Sequence, residues 1–468
     1  MEGLVRIITM GCAKNEVDSD KMRAALEAAG FTVLGEHEDG CAADVTIVNT
    51  CSFIEEATQE SIDMILDLVS QRKIRGSRIQ DAREIRAERI VVTGCMPSRY
   101  GDELADEIPE VAAFVPVARE STIVQVVRDV LRGEQPLCMQ TEAEPIDGLR
   151  GRTLQEPYAY VKISDGCDRF CSFCTIPFIR GRYASRPAGE IISEVDSLVA
   201  MGAREIVLIG QDTGIWGDDL DDGCQEGLLR ENSLACLLAF LAQRHPETWF
   251  RVMYLQPRRT DEQLLDAIAS NDNVCSYLDI PLQHCSERVL ADMNREGSGS
   301  EYLELIEHIR KRVPGVALRT TLIAGFPGET DEEADELVEF VEQAGFDYAG
   351  VFEYSQEDGT VAGDRDDQVD LQVRIARAQA VRDAAETIGF ARAQEHVGEV
   401  CDVLVCGVDD DMPAGGEPIL GLWGRAMFQA PDVDGIVTFT GPPELVGSFV
   451  PVLITGAAGY DLEGEVQI

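Results

Sequence analysis

The stretch GCDRFCSFCTIP, at Gly166–Pro177, places three cysteines within eight residues in the spacing C-x3-C-x2-C. Three thiolates this close together can ligate three irons of a cubane iron–sulfur cluster. The fourth iron has no ligand from the motif and is open to a small molecule. A zinc knuckle would need a fourth Cys or His nearby, and none occurs between Cys174 and Cys224. Cys167, Cys171 and Cys174, hereafter the motif cysteines, therefore predict a catalytic cluster.

Six strand-like runs, each followed by a helical pattern, surround the motif cysteines: one run precedes them and five follow. Six β/α units predict an open, partial (β/α)6 barrel over residues 150–390, with its chemistry at the carboxyl ends of the strands. The motif cysteines follow the first strand and are expected at that mouth. The runs are Tyr158–Ser164, Glu205–Gln211, Phe250–Leu255, Tyr277–Gln283, Ala317–Phe326 and Tyr348–Tyr354.

Residues 1–135 alternate short apolar strands with amphipathic helices, which predicts a doubly wound parallel α/β domain. A cysteine follows each of the first three strands: Cys12, Cys51 and Cys95, hereafter the strand-end cysteines. Because parallel strands end at one shared edge, these cysteines are expected to converge and hold a second cluster. Packing as small buried hydrophobes is the alternative. The strands are predicted at Val5–Met10, Asp44–Asn49, Ile90–Thr93 and Ala112–Val117, with helices at Asp18–Ala29 and Ile54–Gln71.

The C-terminal stretch, residues 395–468, differs in character from what precedes it. The first two domains are separated by a turn-rich linker at Gly133–Pro157. The C-terminal stretch is rich in Val, Gly and Pro. Strand-like runs at Val400–Val405, Gly435–Phe439 and Phe449–Thr455 predict a small antiparallel β-barrel. The stretch contains 13 acids and one base, Arg425. Small barrels that bind nucleic acid present basic and stacking residues, and this one lacks the basic ones.

The chain of 468 residues has a net charge of −45, from 40 Lys+Arg against 85 Asp+Glu. Such a surface repels phosphate backbones and attracts basic proteins, although adaptation of a proteome to salt would give the same charge. No apolar run approaches the ~18 residues of a membrane span, and no secretory signal is visible. We therefore expect a cytoplasmic protein without a membrane partner, whose 14 cysteines stay reduced.

Several further stretches show that the chain resembles the methylthiotransferases of the radical S-adenosylmethionine (SAM) superfamily along its whole length. Within that family it is similar to the RimO type. Lys14-Asn15 and Pro281–His284 stand where tRNA-modifying relatives usually carry Met-Asn and Pro-Val-Gln-Ser, which favours the ribosomal-protein branch. Cys285 departs from the small residue usual there and is expected to be an inert buried thiol. The stretches are Gly11–Ser19, Gly210–Thr213, Tyr277–His284, Met293–Ser298, Leu318–Thr330 and Val351–Ala362.

The resemblance implies an N-terminal methylthiotransferase domain, a radical-SAM barrel and a C-terminal TRAM domain. It implies a transferase that adds a methylthio group to the β-carbon of an aspartate in small-subunit ribosomal protein S-twelve. Two 4Fe–4S clusters and two SAM molecules per turnover would serve the reaction: one SAM yields the radical that removes the hydrogen, and the other methylates the sulfur. An external electron donor is required, and the sulfur donor is unknown. Expected SAM-pocket residues are Arg186, Gln211, Gln283 and Gly325.

Two alternatives remain at this point. The closer one is methylthiolation of a tRNA adenosine at its 2-position, with the same clusters. A basic surface would support it, but the one basic stretch, Gln71–Arg89, with seven Lys/Arg against three acids, is explained equally well as a solvated helix face. We therefore expect no direct tRNA substrate. The distant alternative is a non-enzymatic, zinc-stabilised binding protein, which would be colourless where iron–sulfur proteins are brown.

Overall fold

A computed structural model describes residues 2–35, 43–78, 89–134, 151–220, 229–409 and 419–467. Most of the predicted linker, part of the basic stretch, and Cys41, Cys138 and Cys224 lie outside these residues. No helix in the described ranges is both long and apolar enough to cross a membrane. The chain forms two compact units. The first comprises Met1–Thr153, Gly166–Asp168 and Cys174–Tyr183, and the second Leu154–Asp165, Arg169–Phe173 and Ala184–Ile468.

The first unit contains a five-stranded parallel sheet in the order β2-β1-β3-β4-β5, which confirms the predicted doubly wound domain. The short strand β2 was not predicted, and α1 begins directly after Cys12 rather than five residues later. The strands are β1 (Leu4–Thr9), β2 (Thr32–Leu34), β3 (Val45–Thr50), β4 (Arg89–Gly94) and β5 (Ala113–Pro116). The helices are α1 (Ala13–Ala28), α2 (Glu55–Arg78), α3 (Cys95–Tyr100), α4 (Asp102–Glu107) and α5 (Ile123–Arg132).

Both faces of this sheet are covered, as the alternation of side chains along its strands requires. In β3 every residue is buried. Ile47 packs with Val91 and Val127 in one apolar cluster, whereas its neighbour Val48 packs with Val92 in a second cluster on the opposite face. Burial on both faces explains why these strands are continuous apolar runs.

The second unit begins with the predicted partial barrel, whose six principal strands form two parallel three-stranded arcs, β10-β9-β6 and β11-β12-β13. A backbone hydrogen bond from Leu255 to Asp279 (2.9 Å) joins the arcs. The strands are β6 (Tyr158–Lys162), β7 (Ser164–Asp165), β8 (Ala184–Ser185), β9 (Glu205–Ile209), β10 (Trp249–Val252), β11 (Tyr277–Asp279), β12 (Ala317–Ala324) and β13 (Tyr348–Glu353). The helices are α6 (Ile176–Ile179, in the first unit), α7 (Ala188–Met201), α8 (Leu234–Arg244), α9 (Glu262–Ala269), α10 (Glu287–Asp292), α11 (Gly299–Arg312), α12 (Asp331–Ala344) and α13 (Leu371–Glu395).

The C-terminal strands close into a five-stranded barrel in the order β14-β15-β16-β18-β17. All its pairs are antiparallel except β16–β18, which is parallel. This confirms the predicted small, mainly antiparallel barrel; one parallel pair is needed because a closed barrel with an odd number of strands cannot alternate direction throughout. The strands are β14 (Val400–Val408), β15 (Leu420–Ala426), β16 (Val437–Gly441), β17 (Phe449–Ala458) and β18 (Asp461–Val466); β15 and β18 were not predicted.

The C-terminal barrel packs against the amino ends of the strands of the partial barrel. Glu205, the first residue of β9, accepts hydrogen bonds from Arg251 Nε (2.8 Å) and from Arg425 Nη2 (2.6 Å) of the C-terminal barrel. All three side chains are at most 2% exposed. Tyr277 Oη, at the start of β11, donates to Asp434 (2.8 Å). The only base of the C-terminal stretch is therefore buried in an internal ion-pair network rather than displayed on the surface.

Candidate active site

The strand-end cysteines converge, as the sequence predicted. They follow β1, β3 and β4, which are neighbours in the sheet, and Cys51 and Cys95 are buried while Cys12 is half-buried. Gly11 has a φ of +93°, and a Cβ there would lie 2.5 Å from Cys51 Cβ and 2.9 Å from its Sγ. Only glycine therefore allows the turn that carries Cys12 to approach Cys51 this closely.

Asn15 organises this edge of the sheet, a role that the sequence did not predict. Its Nδ2 donates to the carbonyl oxygens of Met10 (2.9 Å) and Thr50 (3.0 Å), which ties together the ends of β1 and β3. Its Oδ1 lies 3.8 Å from Cys95 Sγ. One buried amide thus contacts the backbone beside Cys12 and Cys51 and lies close to the sulfur of Cys95. In the sequence, Asn15 was notable only as part of the stretch Gly11–Ser19, which contributes to the family resemblance.

Burial controls the protonation of these thiols. It raises the pKa of Cys95 to about 12, against the opposing effect of the nearby Arg180 guanidinium. Burial also raises the pKa of Cys51. Such thiols stay protonated at neutral pH until a metal takes the place of the proton. The sulfurs of these three residues match the donor set of a cluster with one open iron, so the residues fit the second cluster that the resemblance implies.

The motif cysteines are half-buried, and their loop is fixed by backbone contacts in each unit. In the first unit, the Cys167 N–H donates to Gly181 O (3.2 Å). Gly166 has a φ of +72°, and a Cβ on it would meet the Arg182 carbonyl oxygen at 2.1 Å. The glycine that precedes the first motif cysteine is thus required by packing. All three sulfurs belong to a segment of eight residues, a spacing that allows them to ligate a single cluster.

In the second unit, the segment 292–295 holds the middle of this loop. Asn294 Nδ2 donates to the carbonyl oxygens of Arg169 (3.1 Å) and Phe170 (3.0 Å), and the Ser172 N–H donates to Met293 O (3.0 Å). Phe170 adopts a φ of +49°, a strained value that these bonds hold in place. The stretch Met293–Ser298 was part of the family resemblance, and the structure shows that it supports the loop that carries the motif cysteines.

Arg295 brings a positive charge to the same loop. Its Nη1 lies 3.8 Å from Cys171 Sγ, and its Nη2 donates to Gln256 Oε1 (2.9 Å) and Pro281 O (2.7 Å). Nearby, Arg169 Nε donates to Asp212 (2.5 Å), whose carboxylate is fully buried. Burial raises the pKa of Asp212, while Arg169 opposes the shift. Cations beside a thiolate-ligated cluster offset its negative charge.

The four expected SAM-pocket residues occupy different environments. Gln211 has a buried Oε1 without a hydrogen-bond partner, which is an acceptor that a bound ligand could satisfy. Gln283 is buried at a φ of +74°. Arg186 already donates to Lys162 O (2.6 Å) and Glu194 (2.8 Å). The roles of these three in SAM binding remain predictions.

Gly325, the fourth, also has a positive φ of +77°. The absence of a side chain allows Arg374 of α13 to pack closely against it. A Cβ at position 325 would lie 2.8 Å from Arg374 Cβ and 2.7 Å from Arg374 Cγ. Packing against α13 therefore accounts for this glycine, and its contact with SAM remains a prediction.

A buried histidine–carboxylate pair lies at the strand ends and was not assigned a role from the sequence. His284 Nδ1 accepts the Ser286 N–H (3.0 Å), so a neutral ring carries its proton on Nε2. That nitrogen lies 3.4 Å from Glu329 Oε2, and both side chains are fully buried. Glu329 also accepts the Gly325 N–H (2.9 Å). The pair thus holds the turn that follows β12.

Three family profiles together cover most of the chain. The Radical SAM superfamily matches residues 161–341, the uncharacterized protein family UPF0004 matches residues 4–116, and the TRAM domain matches residues 397–466. The profiles fall on the partial barrel, the N-terminal sheet and the C-terminal barrel respectively.

Curated relatives match over nearly the whole chain. A protein of Symbiobacterium thermophilum named ribosomal protein uS12 methylthiotransferase RimO is 42% identical over 98% of this chain and 90% of its own length. A protein of Desulfitobacterium hafniense with the same name is 37% identical over 99% of this chain and 98% of its own length. Among solved structures, the radical SAM methyltransferase TsrM of Kitasatospora setae, with cobalamin and a 4Fe–4S cluster bound, superposes with a TM-score of 0.53. At 17% identity, over 78% of this chain and 77% of TsrM, this likeness shows the fold alone.

Proposed function

Because this chain belongs to the RimO family of ribosomal protein uS12 methylthiotransferases, we propose that it adds a methylthio group to the β-carbon of an aspartate in uS12. The observation that carries the proposal is the convergence of the strand-end cysteines beside Asn15, in addition to the motif cysteines of the radical-SAM barrel. A radical-SAM protein that used one cluster would not need this second set. We further propose three domains, at residues 1–135, 150–390 and 395–468.

The chemistry explains the need for two cysteine sets. The target is an unactivated C–H bond beside an ionised carboxylate, which general acid–base catalysis cannot readily deprotonate. When bound, the two clusters and SAM supply the electron, the radical and the methylated sulfur that the reaction requires. The motif cysteines would hold the first cluster and the strand-end cysteines the second.

The protein's own residues position these groups and protect them from water. Asn294 and Ser172 fix the backbone between the motif cysteines, with Ser172 Oγ donating to Asp292 O (2.7 Å). Asn15 fixes the backbone beside two of the strand-end cysteines, Cys12 and Cys51. Gln211 offers an unpaired acceptor at the end of β9, where substrates bind in barrels of this kind.

The C-terminal barrel supports a basic protein as the substrate. Its single base, Arg425, is 1% exposed, so no Lys or Arg is displayed by its described residues. Its exposed acids, as far as the structure describes them, are Glu395, Glu399, Asp402, Asp432, Glu444, Asp461, Glu463 and Glu465. Because this barrel packs at the amino ends of the strands, it would attract uS12 at a distance from the reacting groups. An external electron donor, an unidentified sulfur donor and a cytoplasmic location complete the proposal.

The test is a direct competition between substrates. Reconstituted protein is incubated anaerobically with SAM, a reductant, purified uS12 and unmodified tRNA, and both candidates are analysed by mass spectrometry. We expect one methylthio group on an aspartate of uS12 and none on tRNA. Modification of tRNA alone would establish the tRNA alternative and refute the proposal.

A further inference from the structure

Arg180 is a buried cation in the first unit, contributed by the chain just after the motif cysteines. Its Nη2 donates to Asn15 Oδ1 (2.8 Å) and to Asp18 Oδ2 (3.1 Å). The side chains of Arg180 and Asp18 are each 1% exposed. A guanidinium and a carboxylate are thus both removed from water beside the amide that organises the strand-end cysteines.

Burial of this pair is not explained by stability alone. Desolvating two charges costs several kcal/mol per ion, and apolar residues of similar volume would fill the same space at no such cost. The same Asn15 Oδ1 that accepts from Arg180 also lies 3.8 Å from Cys95 Sγ. The cation is therefore connected through one amide to a residue that we assign as a ligand.

From this geometry we infer that Arg180 is a positioning residue that sets the reduction potential of the cluster on the strand-end cysteines. The inference rests on the proposed function, which assigns a cluster to those cysteines. Reduction adds negative charge, and a buried cation stabilises it, so Arg180 raises the potential; Asp18 partly opposes this effect. The potential of an iron–sulfur cluster depends on net charge, hydrogen bonds and solvent exposure, and Arg180 affects the first of these.

The experiment isolates the second cluster. The full chain with all three motif cysteines replaced by alanine is the parent, so that only the strand-end site carries iron. Into this parent we introduce Arg180→Gln, Arg180→Lys and Asp18→Asn. The control is Arg128→Gln, which removes an equal charge from an exposed pair with Glu2 near the amino end of β1. Each reconstituted protein is titrated potentiometrically and followed by electron paramagnetic resonance.

We expect R180Q to lower the reduced-to-oxidised ratio at a fixed potential at least tenfold, equivalent to about 59 mV for one electron. R180K should retain most of the parent value, D18N should shift the potential upward, and R128Q should leave it unchanged. A merely structural role would lower stability without moving the potential in opposite directions for R180Q and D18N.

Two results would overturn the inference, in distinguishable ways. A parent that binds no iron would refute the second cluster and, with it, this part of the proposed function. A parent that binds iron, with R180Q titrating at the parent potential, would refute the role of Arg180 alone. If R180Q does not fold, the reduction potential of D18N tests the inference. A potential above that of the parent supports the inference, and a potential equal to that of the parent refutes it.

Discussion

Glu205→Gln is expected to destabilise the second unit strongly, because Glu205 is the only carboxylate that contacts both Arg251 and Arg425 in the described interface. The three side chains are almost completely buried. The substitution keeps the volume of the side chain and removes its charge. Two buried guanidiniums would then lie close together without the carboxylate that they share.

The expected cost follows from this geometry. Removing one partner of a buried ion pair costs roughly 3–5 kcal/mol, whereas replacing all partners by apolar residues of similar volume is often neutral. We therefore expect E205Q to lower the free energy of unfolding by about that amount, and the triple variant E205L/R251M/R425M to recover most of the loss. An exposed pair gives a matched control: E307Q, which removes the partner of Lys311, should change little.

The assay is urea unfolding of reconstituted protein under anaerobic conditions. The chain has three tryptophans, Trp216, Trp249 and Trp423, and all lie in the second unit, so fluorescence reports on it. Trp249 packs against Phe449 of the C-terminal barrel with ring centroids 4.4 Å apart. An E205Q midpoint equal to that of the parent would refute the conclusion that this network holds the two barrels together.

The pH dependence gives a second readout of the same network. Burial raises the pKa of Glu205, but Arg425 and Arg251 outweigh it and hold the net pKa below the ordinary 4.5. A depressed carboxyl pKa contributes stability above the unfolded value, and this contribution is lost as the pH falls through the folded value. E205Q should therefore lose less stability than the parent on acidification below pH ~4.5. Equal acid sensitivity of the two proteins would argue against the assignment.

Three further predictions concern the site and the substrate. Anaerobic reconstitution should give about eight irons per chain, and about four after either cysteine set is replaced by alanine. The sulfur of Cys401 lies near His396 and Glu399, outside both cysteine sets, so the control variant Cys401→Ala should leave the iron count unchanged. Full iron content in either triple variant would refute the corresponding ligand set. Replacing the strand-end cysteines should abolish sulfur insertion but spare reductive SAM cleavage, so deoxyadenosine should form without methylthiolated product, and its absence from a folded variant would contradict separate roles. Binding of uS12 should weaken as ionic strength rises, because interactions between solvated charges are screened beyond roughly 8 Å at physiological salt. The double variant Glu463→Lys/Glu465→Lys should bind uS12 more weakly still. Binding that does not depend on salt would refute the electrostatic explanation.

The network at Glu205 also determines how the C-terminal barrel can be tested. Deleting residues from Glu395 onward would remove Arg425 and Asp434 from the amino ends of the strands. Glu205 and Arg251 would then be uncovered, and the partner of Tyr277 lost. Surface charge reversals are therefore a cleaner test of substrate attraction than truncation.

Local patterns in the sequence were sufficient for most of the fold. Continuous apolar runs predicted four strands of the N-terminal sheet and the six principal barrel strands, with limits that differ from the structure by a few residues. The strands that escaped prediction are short or rich in glycine: β2 has three residues, and β15 contains Gly421 and Gly424. Such segments carry little periodicity, and their pairing partners decide their conformation.

The sequence by itself identified both cysteine sets as candidate cluster ligands, because thiolate chemistry is a property of residue type and spacing and because parallel strands must end at a common edge. The tertiary structure alone decided which residues support those sets. Asn15, Arg180 and Arg295 lie far along the chain from some of the groups they contact, and no local pattern marks such contacts. The count of one base in the C-terminal barrel was likewise available from the sequence. Its burial against Glu205, 220 residues away, depends on how two barrels pack, which is set by long-range complementarity of shape and charge.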